Sequence, residues 1–193
     1  MRRESILTAA VLLVVVLSVF AQDDRSFVEA QIRRWQQVVA RNPRDYETLA
    51  TIGAAYGRLG EHATAVTYFK KAIAVNPSYA EAHLGLGASY GFLGRSSEAI
   101  AALKKAVSLD PNDPFAHAKL GTTLGKAGQY SEAITQLREA VRLKPELPDA
   151  HFALGLAYMS TGDRQKAMDE VNALSRIDSR EAAQLKDLID RTR

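Results

Sequence analysis

The sequence predicts an all-α solenoid built from antiparallel helix pairs, and three observations carry that expectation. Pro43, Pro77, Pro111 and Pro145 recur every 34 residues, and a fixed period of this length is the mark of a repeat array. Within each copy apolar and small residues return at helical spacing, as in His83, Leu86, Gly87 and Tyr90. Gly60, Gly94, Gly128 and Gly162 divide each copy in two, where a helix needs a left-handed residue to stop. All six prolines, Pro114 and Pro148 included, fall at seams between copies, where a missing N–H does no harm.

Before the array, residues 1–21 form a separate piece. A short basic lead, Met1-Arg2-Arg3, precedes an apolar run from Ile6 to Ala21 that is shorter than the roughly 20 residues a comfortable membrane span needs. Val19-Phe20-Ala21 places small residues where a signal peptidase reads them. Export with cleavage after Ala21 is the expectation, giving a periplasmic or secreted protein. The alternative is an uncleaved anchor, with residues 6–21 as a membrane tether. The basic lead puts the domain on the outer side in either case. There is no cysteine among the 193 residues, so an exported domain must be held by packing alone.

Residues 22–45 are expected to hold an N-terminal capping helix. Its helical part, 25–41, turns Phe27, Ile32, Trp35, Val38 and Val39 toward the array. It stands where the second helix of a preceding copy would be, which sets Trp35 against the first full copy.

Four copies follow, at 46–79, 80–113, 114–147 and 148–179. Aligned, they give Ile52-Gly53, Leu86-Gly87, Leu120-Gly121 and Leu154-Gly155, then Tyr56, Tyr90, Leu124 and Tyr158. Ala65, Ala99, Ala133 and Ala167 come next, followed by Phe69, Leu103, Leu137 and Val171. This pattern resembles the tetratricopeptide repeat over residues 46 to 179. It departs where the family's Trp is replaced by Leu49, His83, His117 and His151, and where the last copy ends in Leu174 and Ser179. Glycine inside a helix costs about 1 kcal/mol relative to alanine. The return expected for Gly53, Gly87, Gly121 and Gly155 is close approach to the small residues Ala65, Ala99, Ala133 and Ala167. A C-terminal capping helix over 180–193 closes the array, offering Ala183, Leu185, Leu188 and Ile189 inward; solenoids need such polar-backed ends.

Two catalytic motifs are excluded by this frame. "GLGASYG", residues 85–91, contains a G-x-S-x-G match at Ser89. A nucleophile elbow requires a strand and a strained turn, whereas Ser89 falls inside a helix and aligns with Ala55, Thr123 and Ala157. His83, His117 and His151 repeat with the period, but equivalent side chains on stacked helices lie about 8 to 10 Å apart and do not converge on one ion. No enzyme activity, cofactor or metal is expected. A net charge of +3 is too slight to argue for nucleic acid.

The resemblance implies a curved array whose concave side is lined by the first helix of each pair. Members that hold a C-terminal carboxylate do so with Lys, Arg and Asn on these faces. Here the positions are mostly apolar, with Lys119 and Lys126 nearby, so no such clamp is expected. The expected groove residues are Leu84, Phe92, Phe115, Thr122, Phe152, Leu156 and Met159, which would anchor an apolar or amphipathic segment of a protein partner. The alternative for several of them is packing between neighbouring helices. Glu47, Glu81 and Asp149 are assigned to the helix dipole, with a basic residue of the ligand as the alternative, and Lys70-Lys71 and Lys104-Lys105 to a solvated convex face, with attraction to anionic surfaces as the alternative. The expected function is a non-enzymatic interaction scaffold, with a structural part of a membrane-associated assembly as the alternative. The sequence sets no oligomeric state.

Overall fold

The computed structural model describes residues 25–191; the expected export or anchor segment lies outside them. Among the described residues there are ten helices and no strand. Helix α1 covers residues 25–41. Four pairs follow: α2 (Tyr46–Arg58) with α3 (His62–Val75), α4 (Ala80–Phe92) with α5 (Ser96–Leu109), α6 (Pro114–Lys126) with α7 (Tyr130–Leu143), and α8 (Pro148–Ser160) with α9 (Arg164–Leu174). Helix α10 (Ser179–Arg191) closes the array. Each helix packs on its neighbours in sequence. The first helices also meet one another directly, α2 with α4, α4 with α6 and α6 with α8, and α10 continues the row against α8.

Every pair turns in the same way. Gly60, Gly94, Gly128 and Gly162 take φ values of 78°, 72°, 77° and 82°, which side chains disfavour. The residue after each glycine donates its N–H to the carbonyl of Tyr56, Tyr90, Leu124 or Tyr158 at 2.9 to 3.0 Å. That bond satisfies a carbonyl the helix end leaves free. At helix starts the Asp45, Asp113 and Asp163 carboxylates accept from backbone N–H groups of Thr48, Phe115 and Lys166.

The core runs between the two helix layers. Ala65, Ala99, Ala133 and Ala167 are fully buried, and Gly87 and Gly121 approach Ala99 and Ala133 closely, at their backbone atoms and not their side chains. The side chain four residues further on fills the space. Leu103 Cγ and Leu137 Cγ lie 2.5 Å from where a Cβ on Gly87 or Gly121 would sit, with the Ala99 and Ala133 carbonyl oxygens at 3.1 Å. In the first pair the ring of Phe69 fills the space, 3.1 Å from the same point on Gly53. In the fourth pair, where that position is the shorter Val171, Leu185 of α10 fills the space instead.

Both end helices turn most of the expected residues to the array, Ile32, Trp35 and Val39 at one end and Leu185 and Ile189 at the other, and differ at the margins of the stripe. Val28 and Ile32 of α1 are buried, with Trp35 and Val39 against the same cluster as Ile52, Ala55, Tyr56 and Tyr68. Positions 28, 32, 35 and 39 form one stripe at helical spacing. Phe27 and Val38 fall beside it, 64% and 44% exposed. At the other end the buried stripe is Ala182, Leu185 and Ile189, while Ala183 and Leu188 lie outside it. No helix among the described residues is long and apolar enough to cross a membrane.

Candidate partner-binding groove

Ser89 is buried within α4. Its hydroxyl donates to the Gly85 carbonyl at 2.8 Å, one helical turn back, so the group is spent locally. The flanking glycines are packing positions: a Cβ on Gly85 would lie 2.3 Å from Phe69 Cζ, and one on Gly87 would strike Leu103.

The periodic histidines share one structural job. Their Nε2 atoms lie 3.0, 3.0 and 2.8 Å from the carbonyl oxygens of Pro77, Pro111 and Pro145, so each ring N–H donates to the loop at its seam. This role replaces the bulk of the family's Trp with a hydrogen bond. The second nitrogen differs between copies. In His117 it meets the Gln136 side-chain amide at 2.8 Å. In His151 it meets Glu170 Oε2 at 2.6 Å, and in the second copy the matching position is Ala102. Both ring nitrogens of His151 thus face oxygen acceptors, an arrangement that favours its imidazolium form. The hydrogen bond to Glu170 raises its pKa, opposed by burial and helped by the Pro145 carbonyl and the Glu170 charge. Among the described residues no cluster of His, Asp and Glu could hold a metal ion.

The concave side opens at its C-terminal half into two adjoining cavities of about 320 and 330 Å³, at the small end of ligand clefts. They share Thr122, Lys126, Ala153 and Leu156. Met159 lines one; Phe152, Lys119, Asp149 and Glu181 line the other. Of the expected anchors, Thr122, Phe152, Leu156 and Met159 therefore come together. Leu156 is 37% exposed, while Phe152 and Met159 are half-buried and also pack on the core. Glu181 and Gln184 reach this groove from α10, so the C-terminal cap also lines it. The signal available was the position of α10 as a fifth first helix. At the N-terminal half the same face is bare, for nothing lies within 4 Å of where a Cβ on Gly57 or Gly91 would sit.

The other three expected anchors lie elsewhere. Leu84 is half-buried against the core of the C-terminal half. Phe92, the last residue of α4, stacks on His62 at 4.2 Å between centroids, at the turn edge of the array. Phe115 lies at the seam edge beneath Lys144, whose Nζ is 4.8 Å from the ring centre. A cleft of about 480 Å³ between α1 and α3, lined by Gln36, Val39, Tyr68, Lys71 and Val75, was not anticipated. On the second helices Lys104 pairs with Glu132 at 2.9 Å and Lys71 lies over Tyr68 at 4.9 Å.

Four models described as TPR or tetratricopeptide repeats match the chain, over residues 51–114, 102–135, 126–162 and 148–180. No curated protein matches the sequence. Among solved structures, a crystal structure of MamA shares 26% identity at a TM-score of 0.69, covering 85% of this chain and 91% of that one. A second, residues 41 to the end of MamA from Desulfovibrio magneticus, shares 25% at a TM-score of 0.72 and covers 79% and 86%. TTC0263, a thermophilic TPR protein of Thermus thermophilus, has the same fold at 21% identity and a TM-score of 0.67, covering 84% and 89%. With the 34-residue period, the helix pairs and the stacked first helices in place, the chain belongs to the tetratricopeptide repeat family.

Proposed function

We propose that this protein-interaction scaffold is exported and holds a segment of a partner protein in the concave groove of its C-terminal half. The observation that carries the reading is the open apolar floor formed by Phe152, Leu156 and Met159, contributed by one helix and continued by Thr122 across the seam. Apolar side chains gathered in a concavity are where helical and extended segments dock. Residues 6–21 and the small residues at Val19 and Ala21 support export. The scaffold does no chemistry of its own: Ser89, its best nucleophile match, is locked to a helix carbonyl.

Crosslinking in the native compartment tests the groove. Leu156→Asp should remove the captured partner while the variant keeps its helical spectrum; an unchanged crosslink pattern would refute it. N-terminal sequencing of the purified protein tests export, with Gln22 expected first.

A structural role through edges and caps is the second reading. It is favoured by Phe27, 64% exposed, and Val38, 44% exposed, on the outer flank of α1. A stable oligomer dispersed by Phe27→Glu would decide for it.

A further inference from the structure

The occupant of the groove can be described more closely, on the reading that a partner segment binds there. We propose that this segment is amphipathic and polarised: a Lys or Arg seated at Asp149 and Glu181, an apolar stripe on Phe152 and Leu156, and an acidic residue toward Lys119 and Lys126.

The groove itself is polarised in this way. Lys119 and Lys126 stand two turns apart on α6, at one wall. Asp149 in the first turn of α8 and Glu181 in the first turn of α10 stand at the other. None of the four belongs to an ion pair among the described residues, although nine such pairs form elsewhere. Opposite charges left unpaired across an apolar floor fix the direction in which a complementary segment lies.

Glu181 is the sharpest of the four. Its Oε2 is buried with no hydrogen-bond partner, an arrangement that is costly for a carboxylate. Burial raises its pKa most, and the charges of Asp149 and Asp178 raise it further. Turned toward the cavity that Glu181 lines, the carboxylate gains its missing donor from a partner's ammonium or guanidinium, which also offsets the repulsion between the acids.

A phage-displayed library of random 12-residue peptides, selected on the full chain in mild detergent, tests this. Parallel selections use Leu156→Asp, Glu181→Gln with Asp149→Asn, and Lys119→Glu with Lys126→Glu. Retained peptides should depend on Leu156 and carry a base at one end of an apolar stripe and an acid at the other. The Glu181→Gln, Asp149→Asn variant should weaken the consensus peptide about tenfold, and the lysine reversals should favour peptides with the acid replaced by a base. Peptides that need Leu156 but show no charge order overturn the polarity and leave the groove standing. Failure to retain any peptide that needs Leu156 overturns both. Self-association abolished by Leu156→Asp, with no peptide retained, identifies a second copy as the occupant and likewise overturns the proposal.

Discussion

His151 Nδ1 lies 2.6 Å from Glu170 Oε2, with both side chains almost buried between α8 and α9. The hydrogen bond to Glu170 favours the imidazolium in the native state, so the pKa of His151 stands above its ordinary value of 6.5. The folded chain therefore binds more protons than the unfolded chain between those two values. The contribution to stability is fully present below the unfolded value and is lost as pH rises through the folded one. The expected outcome is a urea midpoint that falls with rising pH across this window. Glu170→Gln should flatten the dependence, because a neutral amide removes the carboxylate whose hydrogen bond and charge favour the imidazolium. Equal pH slopes for the two proteins would refute the assignment.

Leu185 makes the cap a part of the fourth repeat. Its Cδ2 sits 2.5 Å from where a Cβ on Gly155 would be, and its side chain is fully buried. Leu185→Ala should cost about 2 to 5 kcal/mol, as buried leucine truncations do. Gly155→Ala should also destabilise on its own, by about 1 to 3 kcal/mol from overpacking. Together the two should cost less than their sum, since the new methyl enters the vacated space and alanine favours the helix by about 1 kcal/mol. A double-mutant cycle in urea measures the coupling. Strict additivity would show that the two residues do not share the space.

Ser89→Ala should change stability by less than about 1 kcal/mol. The hydroxyl bonds a carbonyl that already serves the helix, and alanine has the higher helix propensity. Broad serine-hydrolase labelling should give no Ser89-dependent signal. Loss of more than twice that stability, or a labelled band that disappears in the variant, would contradict the packing role.

What the sequence made legible divides along physical lines. A period of 34 residues with glycine at each turn specifies helix, turn and helix, because only these positions stop a helix in the same way four times. Helical phase is legible at the ends too: Val28, Ile32, Trp35 and Val39 form one stripe, which leaves Phe27 beside it. Phe92 and Phe115 stand at the last and second positions of their first helices, which places them at the edges of the array. Leu185 was not legible as a repeat residue, since it answers a deficit of volume at Val171 that appears only when the helices are stacked. The histidine partners were legible in principle. Gln136 and Glu170 each lie 19 residues after their histidine, a spacing that links matching positions of first and second helices.

Phe69 supplies a test of how the first seam differs from the third. Its ring lies 3.1 Å from the Cβ position of Gly53 in its own repeat, and only 2.3 Å from the Cβ position of Gly85 in the next repeat. At the third seam the corresponding residues are Leu137 and Ala153, which line one cavity together. A larger side chain thus meets a smaller one where the sequence carries Phe. Gly85→Ala should destabilise the chain by about 1 to 3 kcal/mol, the usual range for overpacking a filled core. Phe69→Leu should cost about 1 kcal/mol or somewhat more through lost buried surface. The pair Phe69→Leu, Gly85→Ala should recover most of the Gly85→Ala loss, because it installs the Leu and Ala combination already used at the third seam. Urea unfolding of the four proteins checks this. If the double variant is no more stable than Gly85→Ala alone, the clash with Phe69 is not what excludes a side chain at residue 85.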